Sequence, residues 1–371
     1  MKILFIDFML PYLLKDLDYP TGGWAVELNS WITGLRANGQ QVGVLTWKGA
    51  NRFIAKRPDF DLIETYDPAK GIKVFKYFYY YIPSIYKKAA EYKPDVIIQA
   101  CAGINTGIMC LIAKALKIPF LYRVANDMDT DHRYKDRLKG YEQIAYSYGL
   151  KKSRAVLCQN NYQLNQIRKK YPEKPAVILH NPFYQSLEVA PSNFEDRKYI
   201  AWVGIFQKQK NLPLLFEIAR QMPHVQFQIA GASRHDLDSA TEAAIMNLSK
   251  LPNVKFNGFL NRHQIIQFLN NAVALLNTSH YEGFSNTYLE AFSTGTPVIC
   301  PSHADPDNIV KEEKLGYPCE HPSDFINAIG QIFVQKQSFD ILSERCRKYV
   351  NINHNPTMLA KQLIGIITKL Q

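Results

Sequence analysis

Two glutamates with seven residues between them, Glu282 and Glu290, bracket a glycine-containing turn in residues 280–300, HYEGFSNTYLEAFSTGTPVIC. A glycine lets a ligand approach the backbone closely. Amides at the start of a helix lack intrahelical partners and sit at the positive end of its dipole, so they favour an anion. The N–H groups of Gly283, Phe284, Ser285 and Asn286 are therefore placed to meet one. Glu290, further along, suits hydrogen bonds from vicinal hydroxyls, and Glu282 stands at the mouth of the turn beside whatever the anion carries. Carboxylate, anion site and carboxylate together fit a nucleotide diphosphate joined to a sugar. Taken singly, either glutamate is an ordinary solvated side chain, and the dense pattern carries the reading.

The elements that must position these residues are legible on either side. An apolar run of strand length, VALLNTS at 273–279, precedes the turn, and a second, at 298–301, follows. Between them the spacing predicts a helix over 285–294, with Ser285 as N-cap, Leu289, Ala291 and Phe292 on the buried face, and Gly295 as the stop. The whole pattern E-G-F-S-N-x3-E-A-F-S-x-G-x-P-V resembles the E-x7-E signature of the family 4 retaining glycosyltransferases of the GT-B fold.

That resemblance implies an α/β chain of two Rossmann-like, doubly wound domains facing a central cleft. Residues 1–183 would bind acceptor, joined by a C-terminal helix at about 356–371 crossing back to them, and residues 184–355 would bind the nucleotide sugar. Three further stretches occur in family order. The glycine pair Gly22 and Gly23, after Pro20 and Thr21, resembles the loop that covers the donor diphosphate and the acceptor, although a plain flexible turn reads equally well. In GIFQKQKN, 204–211, Gly204 and Lys210 match the loop that clamps the diphosphate, but Ile205 stands where an arginine is usual, with Lys208 as a substitute. Gly231 ends the next strand, and Gly258, Phe259 and Leu260 precede the helix that lies beside the base in the family. Asn126 occupies the position of a histidine often given an acid or base role, which leaves Asp127 and Arg123 as candidates for it; a turn motif is the competing account of the aspartates. His180, in VILHNP, is read as structural.

The β, α, β rhythm runs through both halves. Strands are expected at 2–8, 41–46, 94–99, 119–124, 155–159 and 177–182, then, after a polar linker at 184–197, at 199–204, 225–231, 254–259, 273–279 and 298–301. Helices are expected between them, including 24–37, a single basic, tyrosine-rich helix at 133–152, and others at 236–250 and 323–336. At 371 residues, 47% hydrophobic and 21% charged, the composition is that of a globular protein of two domains. No apolar run approaches the roughly 20 residues of a membrane span. Asp7 within the first apolar run reads as a buried strand, not a signal peptide, so a cytoplasmic location is expected.

Six scattered cysteines show no metal-ligand spacing and read as reduced, mostly buried thiols. The formal charge of +11 points towards an anionic partner: nucleic acid, anionic lipid or a phosphorylated small molecule. Residues 73–93, KVFKYFYYYIPSIYKKAAEYK, pack aromatics among lysines around Pro83. Either this is an interfacial patch that holds the protein on the anionic inner face of a membrane, or it is a strand running into an amphipathic helix with core aromatics. Nucleic acid is set aside as a partner, because no RNA-binding signature accompanies the stretch.

The resemblance implies an enzyme, a retaining hexosyltransferase that moves a hexose from a nucleotide-diphosphate sugar to a hydroxyl of a carbohydrate or lipid-linked acceptor, in cell-surface polysaccharide or glycolipid synthesis. Lys210, Glu282 and Asp127 would be catalytic, and no cofactor or metal would be required. Two alternatives stand beside it: a non-catalytic nucleotide-sugar-binding protein of the same fold, and a soluble enzyme acting on a small phosphorylated sugar. A Rossmann dehydrogenase is disfavoured by the lack of G-x-G-x-x-G after the first strand.

Overall fold

The computed structural model describes residues 1–15, 22–54, 58–71, 77–184, 189–233, 237–334 and 336–370. Pro20 and Thr21 of the glycine loop, 73–76 of the aromatic stretch, 185–188 of the linker, and Asp236 lie outside the described residues. Contacts divide the chain into two compact units. One holds the described residues up to Tyr184 together with Asn355 onward, the other residues 189–354.

In the first unit, among the described residues, seven parallel strands form one sheet: β1 Lys2–Ile6, β2 Gln41–Thr46, β3 Asp61–Glu64, β4 Val96–Ala100, β5 Phe120–Arg123, β6 Ala155–Cys158 and β7 Ala176–Ile178. Their order is β3-β2-β1-β4-β5-β6-β7, so the winding reverses between β1 and β4. Side chains alternate across a strand, and both faces of a parallel sheet are buried. Ile3 and Phe5 therefore enter one core, and Leu4 and Ile6 the other. The Pro356–Leu370 helix closes the first core with Leu359, Ala360, Leu363 and Ile367, packing on the Gly23–Ala37 helix. The approach is close because Gly34 has no side chain: a Cβ there would lie 2.1 Å from the Pro356 carbonyl oxygen.

The second unit carries, among the described residues, six parallel strands: β8 Tyr199–Val203, β9 Phe227–Ala230, β10 Val254–Gly258, β11 Ala272–Leu276, β12 Val298–Pro301 and β13 Gly316–Cys319, ordered β10-β9-β8-β11-β12-β13. The winding reverses between β8 and β11. Two doubly wound parallel sheets are the architecture expected.

Several elements differ from expectation. β3 and β13 were not legible because both are edge strands, one half polar (DLIE) and one containing a proline (GYPC), as edges tolerate. The Lys336–Asn353 helix was also not read. The single helix expected at 133–152 is two, Tyr134–Arg137 and Gly140–Lys152; the second starts afresh where the Glu142 carboxylate accepts the Lys139 amide at 2.9 Å. Tyr77–Tyr81 is a π-helical turn leading into the Ile82–Tyr92 helix, not a strand. Its aromatics divide between core and surface: Tyr81 is buried and stacks on Tyr66 at 3.7 Å, while Phe78, Tyr79 and Tyr86 are exposed. All six cysteines are free thiols, with Cys101 the only one not fully buried. Among the described residues no helix is long and apolar enough to cross a membrane.

Candidate active site

Ligands of open α/β sheets sit beyond the carboxyl ends of the strands where the winding reverses. In the second unit that point lies between the loops that follow β8 and β11, and those loops carry Lys210 and Glu282.

Glycines shape the first of them. A Cβ on Gly231 would fall 1.9 Å from the Gly204 carbonyl oxygen, so the ends of β8 and β9 touch backbone to backbone. The Gly231 amide donates to the Gly258 carbonyl at 2.8 Å, extending the contact to β10. Gly204, Gly231 and Gly258, expected near the donor, thus line one edge of the sheet. After Gly204 the chain forms a 3-10 turn at Lys208–Lys210, and Asn211, at φ 49°, turns it into the Leu212–Gln221 helix. Lys208 is exposed on this turn.

Three hydrogen bonds fasten this loop to the one after β11. The His280 amide donates to Gln209 O at 2.9 Å, Gln209 Nε2 to Tyr281 O at 2.9 Å, and Thr278 Oγ1 to Lys210 O at 2.7 Å. Held in this way, Lys210 Nζ donates to Glu282 Oε1 at 2.5 Å, and the same oxygen accepts Ser279 Oγ at 2.6 Å and Asn277 Nδ2 at 3.3 Å. Burial pushes the Glu282 carboxyl up, but Lys210 and its hydrogen-bonded neighbours outweigh it and hold the group below its ordinary value. Glu282 is therefore an engaged, ionised partner of Lys210, not a free carboxylate at the mouth of the turn.

Behind the turn comes the Asn286–Ser293 helix. Ser285 occupies the N-cap position as expected, but its Oγ pairs with Thr287 Oγ1 at 2.7 Å and does not cap. Gly295, at φ 71°, ends the helix. Gly283, Phe284 and Ser285 are buried, and the Phe284 ring lies 5.1 Å from the fully buried ring of His354, a residue no sequence signal marked. Phe259 and Leu260, half-buried, follow Gly258 into the Arg262–Asn270 helix.

Glu290 lies on the buried face with Leu289, Ala291 and Phe292. Desolvation pushes its carboxyl up to about 7, opposed by Arg262, and among the described residues no hydrogen bond to that carboxylate is found. A buried polar group normally has a partner. No group of three or more metal-ligating side chains occurs among the described residues.

In the first unit, Asn126 Oδ1 accepts the Met128 amide at 3.0 Å and caps the Asp127–Asp129 turn. Asp127 Oδ1 accepts Asn160 Nδ2 at 3.0 Å and Gln163 Nε2 at 2.9 Å; burial pushes its carboxyl up and these bonds oppose it. Arg123 is removed as an acid or base. It is 1% exposed and spends its guanidinium on Glu27 (2.9 Å), Leu179 O (2.6 Å), Cys158 O (3.2 Å) and Asn181 Oδ1 (2.6 Å).

Sequence reasoning missed a pocket of about 310 Å³ at the reversal point between β1 and β4, lined by Asp7, Trp24, Gln99 and Cys101 among others. Gln99 Nε2 donates to Cys101 O at 2.8 Å and to Ala100 O, which fixes the amide; among the described residues, buried Oε1 then has no partner, nor does buried Trp24 Nε1. One orphan acceptor and one orphan donor thus belong to the same wall. Burial pushes the Asp7 carboxyl up to about 6. The available signal was Asp7 itself, a charge inside an apolar strand run. Gly22, at φ 82°, precedes the first turn of the Gly23–Ala37 helix, from which Trp24 comes.

Residues 21–183 match the model of Glycosyltransferase Family 4, and residues 185–351 that of Glycosyl transferases group 1. Among curated proteins, D-inositol 3-phosphate glycosyltransferase of Mycobacteroides abscessus is 27% identical over 38% of this chain and 33% of its own length. A probable sucrose-phosphate synthase of Thermosipho melanesiensis is 22% identical over 67% of this chain and 61% of its own. The chain thus spans a third to three-fifths of these curated relatives. Among solved structures, Anabaena Alr3699/HepE in complex with UDP-glucose superposes with a TM-score of 0.76 at 14% identity over 100% of both chains.

Proposed function

The chain is a glycosyltransferase of the GT-B fold, with a family 4 half and a group 1 half, and from that premise we propose that it transfers a hexose with retention from a nucleotide-diphosphate sugar to an acceptor hydroxyl. The observation that carries this is the second unit's reversal point, where the Lys210–Glu282 pair adjoins the first turn of the Asn286–Ser293 helix and buried Glu290, whose carboxylate has no hydrogen bond among the described residues, lies one turn beyond.

In this reading the ribose hydroxyls donate to Glu290, and the diphosphate is met by Lys210 and by the amides of Phe284 and Ser285. As the sugar–phosphate bond breaks, negative charge grows on the departing phosphate. A placed cation or amide there is worth about 3–4 kcal/mol, or 10²–10³ in rate. Glu282 keeps Lys210 aimed, and reaches the donor-sugar hydroxyls when the lysine swings to phosphate. The departing phosphate takes the acceptor proton on the same face, so no separate base is needed, and lysine and the helix end fill the role a metal has in other nucleotide enzymes. Asp127 acts on the acceptor side.

The UDP-glucose of the Anabaena neighbour supports this class of donor. For the acceptor, the pocket of the first unit, with Trp24 Nε1 and Gln99 Oε1 unsatisfied among the described residues, suits a hydroxyl-bearing ring. A carbohydrate or lipid-linked acceptor in surface polysaccharide or glycolipid synthesis fits the exposed Phe78, Tyr79 and Tyr86 beside Lys87, which would rest on the inner face of a membrane. The names of the two curated relatives favour a second reading, a small phosphorylated acceptor in solution.

Thermal shift against a set of nucleotide sugars tests the donor, since a ligand of the folded state raises its apparent stability. Transfer assays with the donor that binds, and NMR of the product's anomeric proton, test retention. A donor bound without transfer or hydrolysis would leave only the non-catalytic alternative, and no donor bound would overturn the reading.

A further inference from the structure

One large cavity is not at the site above. It measures about 770 Å³ and lies in the first unit, against the amino ends of β5, β6 and β7, where Pro119, Phe120, Arg154 and Pro175 line it. Asn126 and Asp127 belong to the opposite, carboxyl edge of the same strands.

Six cations line this cavity: Lys114, Lys151, Lys152, Arg154, Lys170 and Lys174. One acid, Glu173, faces them. None of the six is ion-paired among the described residues. The ordinary account of such lysines is compensation of helix C-termini, and Lys114, Lys151, Lys152 and Lys170 do stand in last turns. The magnitudes do not close. Six cations less one acid leave +5, and three helix ends of about −0.5 each offset roughly 1.5, so about 3.5 positive charges remain. Lys174 Nζ, tied to Ser153 O at 2.6 Å, is held inside the wall, and its ammonium is pushed down by burial and by Lys152. Lys170 and Lys174 lie 5.5 and 5.9 Å from the Tyr171 ring, and Tyr148 provides a second aromatic surface.

Like charges gathered without counter-ions around a concave surface attract and retain a polyanion. Lysines bind phosphate as point charges, and tyrosine faces accept a ring or chain attached to it. We propose that this cavity is a second ligand site, independent of the donor site, for a compound with two or more phosphate charges on a ring- or chain-bearing body. The phosphate chemistry could be that of a free phosphorylated metabolite or of a lipid headgroup, and the test separates the two.

The full-length protein is titrated with inorganic pyrophosphate and followed by hydrogen exchange read by mass spectrometry. The expected result is protection of segments 148–154 and 170–175. In Lys114→Ala/Lys152→Ala, both exposed positions whose loss leaves the core intact, that protection falls at least fivefold. Any protection of 204–211 and 277–286 at the donor site stays as in the wild type. A Lys311→Ala/Lys348→Ala control, with the same net charge, behaves as the wild type. In parallel, flotation with phosphatidylglycerol and with phosphatidylcholine vesicles is compared. Binding to the anionic vesicles alone, lost in Lys114→Ala/Lys152→Ala but kept in the control, assigns the site to a lipid headgroup; protection by pyrophosphate without vesicle binding assigns it to a soluble ligand. Neither protection nor vesicle binding, or an equal loss in both double variants, overturns the proposal, and none of these outcomes bears on the donor site.

Discussion

Lys210 Nζ and Glu282 Oε1 meet at 2.5 Å although 72 residues separate them, with the lysine side chain 14% and the glutamate 8% exposed. Each comes from a loop at the carboxyl end of a central strand, one after β8 and one after β11. The pair is therefore a product of sheet order.

Lys210→Ala leaves Glu282 buried without its cation. Removing one partner of a buried pair costs about 3–5 kcal/mol, because the remaining charge is stranded. Turnover is expected to fall at least tenfold and the second unit to melt earlier. Lys210→Ala/Glu282→Gln should recover much of the stability but not the turnover; recovery of turnover would show that the lysine only answers the glutamate. Denaturant unfolding and steady-state kinetics of the three variants check this.

Glu290 predicts a pH dependence of known sign. Its carboxyl is raised from 4.5 to about 7 in the folded protein, so the folded state holds the proton more tightly than the unfolded. The resulting penalty is absent below about pH 4.5, grows as pH rises, and is complete above about pH 7, at roughly 3 kcal/mol as a ceiling. Glu290→Gln should flatten that fall in unliganded stability. Donor binding should run the other way, tightening as pH rises through 7, because ribose hydroxyls favour the ionised acceptor. Glu290→Ala should lose at least tenfold in turnover. Titration calorimetry at pH 6, 7 and 8 reads both arms.

Asp127→Asn keeps an oxygen for Asn160 Nδ2 and Gln163 Nε2 while removing the charge. The fold should persist, with the melting temperature changed by about 2 °C or less, and turnover should drop about tenfold. Unchanged kinetics would assign Asp127 to the turn alone.

Arg123→Met should destabilise the first unit by about 3–5 kcal/mol, since Glu27 would remain buried at 3% exposure without its cation. Arg123→Lys should not rescue it, because one ammonium cannot reproduce the fork that serves Glu27, two carbonyls and Asn181. Guanidinium unfolding with spectra from both units measures the loss.

Gly231→Ala places a methyl 1.9 Å from the Gly204 carbonyl oxygen. Both partners are backbone, so the ends of β8 and β9 must separate. Nucleotide-sugar affinity should fall at least tenfold with the first unit's unfolding unchanged.

The sequence by itself determined what local pattern controls. The apolar runs on either side of residues 280–300, the helix behind Ser285 and the stop at Gly295 follow from periodicity and from glycine's access to positive φ. The repeating β, α, β rhythm likewise made two parallel sheets legible. Edge strands β3 and β13 were not, because half-exposed strands lack a continuous apolar run. What only the tertiary structure decided are relations between distant segments. Lys210 and Glu282 became a pair because the winding reverses between β8 and β11. Arg123, named beside Asp127 as a candidate, is consumed by Glu27, Asn181 and carbonyls from β6 and the segment after β7. The Glu290 carboxyl is raised because burial, not its neighbours in the chain, dominates its environment. The six cations around the Tyr171 cavity come from three helix ends and two loops that nothing in their spacing connects. Such facts rest on distance through space and on desolvation, and a residue's type and position in the chain encode neither.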